Sequence, residues 1–148
     1  VGQNWGAGER GRARSAVIQG GAFCLLYGLA AATLIVVFRD SIGALFSDET
    51  AVREEVARYL MISVWGYAGF GLFIMGNGAL NAIDRAGLAL SQSLARVVLF
   101  MVPTALLLRG VWGSSGVYTA ELTANLLGGA MAVGSLWWVL RGTRSPRD

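Results

Sequence analysis

Histidine is absent from this 148-residue chain, lysine is absent too, and cysteine occurs once, at Cys24. Without histidine the chain lacks the side chain that titrates near neutrality and is the commonest metal ligand. A single cysteine excludes an internal disulfide and a cysteine metal cluster. Proline stands only at Pro103 and Pro146, which excludes a loop-dominated or low-complexity chain. Charge is scarce as well, at 14% of residues, where an ordinary soluble domain carries about a quarter. So little charge cannot cover a soluble domain of this length with polar surface.

What the chain does have is apolar length. Hydrophobic residues make up 55%, glycine occurs 21 times, and the mean hydropathy is +0.56. Glycine at this frequency suits transmembrane helices better than soluble ones. Four long apolar runs cover about 16–38, 59–83, 86–108 and 117–140. The first two carry no charge, the third is interrupted by Arg96 and the fourth by Glu121. Crossing the hydrocarbon core takes about 20 residues, so each run is long enough to span. Buried helices of a soluble bundle would need polar faces, and these runs have none. The expected fold is an all-α membrane protein of four transmembrane helices, residues 1–148 forming one membrane domain.

The net charge of +3 comes from twelve basic residues, all of them arginine. They do not gather into one basic face, as nucleic-acid binding would require; they sit between the apolar runs. Seven flank one side of the spans (Arg10, Arg12, Arg14, Arg85, Arg141, Arg144 and Arg147). Four flank the other (Arg39, Arg53, Arg58 and Arg109), diluted by Asp40, Asp48, Glu49, Glu54 and Glu55. The positive-inside rule then places both termini in the cytoplasm, in a multi-pass protein of a plasma membrane, here a bacterial inner membrane. Trp137 and Trp138 at one level, and Trp112 and Tyr118 at the other, fit two aromatic belts. Nothing before Ala16 reads as a signal peptide. A chain opening in mid-motif reads as a piece of a longer protein.

Small residues recur every four positions on two spans. Gly20, Cys24, Gly28 and Ala32 form one stripe; Ala120, Ala124, Gly128 and Ala132 form another. In lipid, where the hydrophobic effect no longer drives helices together, such stripes let backbones approach closely. In the acidic loop 39–58, Ser47 and Asp48 can cap a helix on which Val52, Val56 and Tyr59 follow at helical spacing. That predicts an interfacial helix leading from the outer loop into the second span.

Gly6-Ala7-Gly8-Glu9-Arg10-Gly11 matches a dinucleotide fingerprint, which needs a preceding strand and a βαβ unit. A membrane span follows instead, so a glycine-rich turn is the better reading. The whole opening carries a more specific resemblance. Val1-Gly2-Gln3-Asn4-Trp5-Gly6-Ala7-Gly8, with Arg12 and Arg14, resembles the cytoplasmic loop between the second and third helices of a six-helix lobe in multidrug and toxic compound extrusion (MATE) transporters. Leu45-Phe46-Ser47-Asp48 with Ala57-Arg58-Tyr59-Leu60 resembles the next outer loop. Gly76-Asn77-Gly78-Ala79-Leu80-Asn81-Ala82 with Arg85 resembles the end of the following helix. Ser93, Arg96 and Pro103, then Gly116-Val117-Tyr118 and Ala120-Glu121, resemble the last two helices.

The resemblance implies the C-terminal lobe of such a transporter without its first helix and most of its second. It implies export of organic cations or other amphipathic compounds in exchange for sodium ions or protons, from a cavity between two rocking lobes. The expected partners are the lipid bilayer, the missing N-terminal part of the same protein and amphipathic small molecules, with no nucleic acid. No cofactor is expected, and the coupling-ion site is expected in the missing part, because no acid stands at the middle of any span.

Asn77 and Asn81 lie one turn apart on one face, with Asp84 another turn on; they can line a cavity or bond between helices. Asp84 beside Arg85 reads as a solvated pair. Arg96 can snorkel to the interface or serve a cavity or gate. Glu121 can complement a helix N-terminus or, with Asn125 a turn later, hold a cation. A lipid-linked saccharide flippase of the same superfamily and a non-transporting four-helix scaffold are the alternatives. An enzyme is not expected, for the chain offers no nucleophile with a base at a readable spacing.

Overall fold

The computed structural model describes residues 1–142. Among them every regular element is helical. A short α1 (Gly2–Gly6) leads through a turn into α2 (Arg10–Val37), the first long apolar helix. The turn contains Gly8 at a φ of +78°, so the glycine-rich stretch joins helix to helix, where a dinucleotide fingerprint would join strand to helix.

Phe38 breaks the helix, and the guanidinium of Arg39 donates to the carbonyl of Val36 at 3.0 Å, satisfying one of the orphan carbonyls at the C-terminus of α2. A separate short helix, α3 (Arg39–Phe46), then folds back on α4 (Thr50–Ser63). Gly43 permits the approach; a Cβ there would meet the carbonyl oxygen of Arg53 at 3.1 Å. The loop is held by Arg53, which donates to the Ser47 carbonyl at 2.7 Å and to Asp48 at 3.0 Å.

The outer loop matches the sequence expectation in one respect and differs in two. The expected helix leading from the outer loop into the second span is α4, which passes through a 3-10 turn, Val64–Gly66, into α5 (Tyr67–Asn81) as one continuous helix Thr50–Asn81. The outer loop holds a further helix, α3, which at two turns is too short to show a period in the sequence. Ser47 and Asp48 do not cap α4. Its N-cap is Glu49, without a side-chain cap, and Ser47 accepts instead from the Glu49 N–H at 3.1 Å.

Helix α5 ends in a tight turn in which Asp84 has a φ of +60°, a left-handed conformation that Asp tolerates better than most residues. Asp84 and Arg85 are both exposed, as a solvated pair would be, and form no direct ion pair among the described residues. The third span is α6 (Ala86–Ala95), a π-helical segment Arg96–Met101 and α7 (Val102–Trp112). The wider turn has a local cause. Pro103 has no N–H to donate and its ring crowds the carbonyl four residues back, and a π-bulge relieves both. Gly113, at a φ of +58°, turns the chain into α8 (Ser114–Gly142).

Among the described residues four helices are thus long and apolar enough to cross a membrane. Helices α5 and α8 form the centre, with α2 packed on α5 and α6–α7 on α8. The small-residue stripes lie in these contacts. A Cβ on Gly28 would fall 2.5 Å from the Cα of Ala68, and Gly71 faces the Cβ of Cys24 at 3.3 Å. Gly20 faces Met75 at 3.6 Å, and Ala32 packs against Leu60 and Val64. On α8, Ala120, Ala124, Gly128 and Ala132 are all buried, Ala132 against Gly76. Elsewhere large apolar side chains face outward, Leu26 at 72% exposure and Leu107 at 75%. That pattern suits lipid, which solvates leucine as well as a protein core does.

Two apolar clusters mark the ends of the bundle. Val17, Leu80, Ile83, Ala89, Leu136 and Val139, with Val1 and Trp5 against them, close the end that holds both the start of α2 and the end of α8. Ala32, Leu60 and Val64, with Ile42 and Tyr59, close the other.

Candidate functional site

The chemistry-bearing side chains inside the spans gather where α8 meets its neighbours. On the third span, facing α8, is Arg96, the half-buried first residue of the π-helical segment. Its guanidinium donates to Asn125 Oδ1 at 2.7 Å and stands 5.2 Å from the ring centroids of both Phe70 and Phe73, within cation–π range. Room for its stem comes from Gly128, where a Cβ would lie 2.9 Å from Arg96 Cδ. Asn125 is buried against the 3-10 turn and the start of α5, where Gly66 and Gly69 both abut it. Arg96 therefore turns inward to an amide instead of snorkelling to the interface. The interhelical partner outweighs the reach for the surface because Gly128 opens the path inward.

One and a half turns from that pair, towards the loop end, lies a reciprocal arrangement between α4 and α8. The Tyr59 hydroxyl donates to Glu121 Oε1 at 3.4 Å, and the Tyr118 hydroxyl donates to Glu55 Oε1 at 2.7 Å. Between the two bonds the tyrosine rings meet edge to face, with centroids 5.1 Å apart at 82°, a favoured aromatic geometry. Glu55 is also paired with Arg58 at 3.4 Å. Glu121 and Asn125, a turn apart on α8, thus serve different partners and do not converge on a common point.

Towards the other end, Asn77 donates to the Ser93 hydroxyl at 3.2 Å, and Ser93 donates in turn to the Ala89 carbonyl at 3.0 Å. Gln92, buried beside it in sequence, donates to Ser135 of α8. The carbonyl oxygens of Asn77 and Gln92 are buried without a hydrogen-bond partner among the described residues. Asn81 is exposed, so the two asparagines one turn apart have different surroundings. Of the sequence candidates, Arg96 and Asn125 are brought together, Asn77 bonds between helices, Glu121 joins the tyrosine pair and Asn81 stands apart.

The sequence reading did not single out Tyr59, Glu55, Gln92 or Ser135 for these contacts. Polar residues in a span must find partners, so a search for every polar position in the runs would have found Gln92 and Ser135. Nothing in the local pattern pairs Tyr59 with Glu121. Among the described residues no group of three or more His, Cys, Asp or Glu side chains is placed to hold a metal ion.

Comparison with known proteins supplies the context of these helices. The MatE family model matches residues 1–107. A Shewanella oneidensis protein named as an FAD transporter is 32% identical over 129 residues, covering 87% of this chain and 28% of that protein. Among solved structures, the Vibrio cholerae MATE transporter VcmN in its bent form superposes with a TM-score of 0.89 at 25% identity, over 93% of this chain and 32% of VcmN. A point mutant of VcmN superposes with a TM-score of 0.84 over 88% of this chain and 30% of its own length. The chain therefore spans about a third of the length of the proteins it resembles, as part of one lobe of such a transporter would. MATE proteins are transporters and not enzymes. With a family model covering well over half its length, on a fold that superposes throughout on a MATE transporter, this chain belongs to the MatE family.

Proposed function

We propose that these four spans belong to a secondary active exporter of amphipathic small molecules, organic cations first among them. The observation that supports it is the superposition of nearly the whole chain on a third of a MATE transporter. In this reading two lobes rock about a central cavity, and binding of sodium ions or protons biases which side is open. No acidic residue stands at the middle of a span here, so the coupling site is assigned to a part of the protein outside residues 1–148. Arg96, Asn125, Asn77, Asn81 and Glu121 are the candidate cavity or gating residues. The bundle end carrying Val1 and Leu140 faces the cytoplasm of a bacterial cell.

A second cargo class has its own support. Arg96 puts a cation beside two phenyl rings inside a span, and one relative is named as an FAD transporter. An anionic cargo with a flat aromatic ring suits that pair of features. A lipid-linked saccharide would draw on the same cation and has no further support.

The test is flux in proteoliposomes holding the protein at its native length, under an imposed sodium or proton gradient, with a fluorescent organic cation and with FAD. Gradient-driven movement of the cation supports the first reading. Movement of FAD alone transfers the proposal to anionic cargo, and flux indifferent to both gradients ends the antiport reading.

A further inference from the structure

Where α2 and α8 both lean on α5, a groove of 360 Å³ is left between them. It runs along Ile18, Gly21, Ala22 and Leu25 of α2, past Leu72 of α5, to Trp137 of α8. Its walls are apolar, and its depth comes from Gly21, where a Cβ would lie 3.6 Å from Leu72. At 1.5 Å per residue, the stretch of α2 from Arg14 to Leu25 is about 16 Å long, roughly half the thickness of a bilayer's hydrocarbon core.

The mouth of this groove is cationic. Trp137 carries two guanidinium groups against its ring, Arg14 at 3.9 Å from the centroid and Arg141 at 4.6 Å. Both arginines are exposed, and neither pairs with a carboxylate among the described residues. The tryptophan thus joins the two halves of the feature: it lines the apolar slot and holds both cations at its opening. A slot of this size is large enough for a small ligand, and its chemistry changes once along its length, from positive to apolar.

We propose that the groove holds an acyl chain of an anionic phospholipid, its phosphate between Arg14 and Arg141 and its chain against Gly21. Basic pockets between membrane helices recognise anionic headgroups in this way. A free phosphate would leave the apolar length unused, and a zwitterionic lipid would leave the two cations without net compensation. The site stands apart from the transport reading, since it rests on no cargo or coupling ion.

Native mass spectrometry of the native-length protein, released from detergent with equal amounts of phosphatidylglycerol and phosphatidylcholine of identical chains, tests it. The expected result is retention of phosphatidylglycerol in several-fold excess. The double variant Arg14→Gln with Arg141→Gln should lose that preference, and Ala22→Trp, which fills the slot, should lower retention of both lipids. Arg109→Gln, at the opposite end of the bundle, should leave the preference unchanged. If Ala22→Trp is not monodisperse on gel filtration, the arginine pair decides alone, because both side chains are exposed. Equal retention of the two lipids by the unaltered protein overturns the proposal. So does a double variant that keeps its preference, as it would if another segment of the polypeptide filled the groove.

Discussion

Tyr59 and Tyr118 meet edge to face, and each donates a hydroxyl hydrogen bond to a carboxylate on the other's helix. The exchange ties the loop end of α4 to the loop end of α8 with two bonds and one ring contact. The Tyr118 bond is the shorter at 2.7 Å, against 3.4 Å for Tyr59, and hydrogen bonds weaken as they lengthen. Tyr118→Phe should therefore lower the unfolding midpoint more than Tyr59→Phe. The double variant should lose less than the sum, because the two rings orient each other. Thermal unfolding of the four proteins in one detergent measures this; equal or strictly additive losses would contradict the shared arrangement.

Gly28 stands where no side chain fits. A Cβ would fall 2.5 Å from Ala68 Cα and 2.7 Å from its nitrogen, and backbone cannot swing aside as a side-chain tip can. Gly28→Ala should cost about 1–3 kcal/mol, the usual range for overpacking, and Gly28→Leu should prevent folding. Gly134 is the control, with nothing within 4 Å of its would-be Cβ. Gly134→Ala should be neutral or stabilise the helix by about 0.5–1 kcal/mol. Denaturation in mixed micelles gives both numbers, and a tolerated leucine at position 28 would mean that α2 does not pack there.

Arg96 and Asn125 should be energetically coupled. Interhelical hydrogen bonds in membranes average well under the value expected from an apolar solvent, while bonds to charged groups run higher. A double-mutant cycle with Arg96→Gln and Asn125→Ala should give a coupling energy of about 1–2 kcal/mol. Arg96→Lys should recover only part of it, since an ammonium lacks the planar fork and the ring stacking of a guanidinium. A coupling indistinguishable from zero would mean that Arg96 spends its time elsewhere, at the interface.

Glu121 is expected to tune transport and not to be its sole coupling group. It lies seven residues from the start of α8 and has a tyrosine partner, away from the midplane where the proposed alternating access would need its ion. In the native-length protein Glu121→Gln should shift the apparent affinity for cargo while leaving gradient-driven flux in place. Residues 1–148 alone should show no gradient-driven flux. Complete loss of coupling in the glutamine variant, with normal expression, would make Glu121 the central site.

The spans were legible because lipid imposes one demand, a predominantly apolar run of sufficient length, and that demand is visible residue by residue. Their joints were less so. The helix through Thr50–Asn81 starts well before its apolar run, because α4 carries Arg53, Glu54, Glu55 and Arg58 on turns that lie outside the hydrocarbon. Helix α3 went unseen for want of length. The site was half legible. Arg96 and Asn125 could be named as polar residues needing partners, yet their pairing depends on Gly128 being bare, a fact of packing and not of pattern. The Tyr59–Glu121 bond joins residues 62 apart in the chain, and no local spacing encodes it.

The contact between α5 and α8 has a mechanical meaning. At Gly69 and Gly129 the two helices meet backbone to backbone, a Cβ on Gly129 falling 2.4 Å from the Gly69 oxygen, with no side chain between them to change rotamer. Such a seam can neither slide nor open by small steps without losing the contact altogether. The third helix is built differently: its apolar stretch is unburied, and six of its residues run in a wide π turn just ahead of a proline. The bundle is thus a stiff plate with one compliant edge, and a bend during operation would begin at Arg96–Met101 and leave the plate whole.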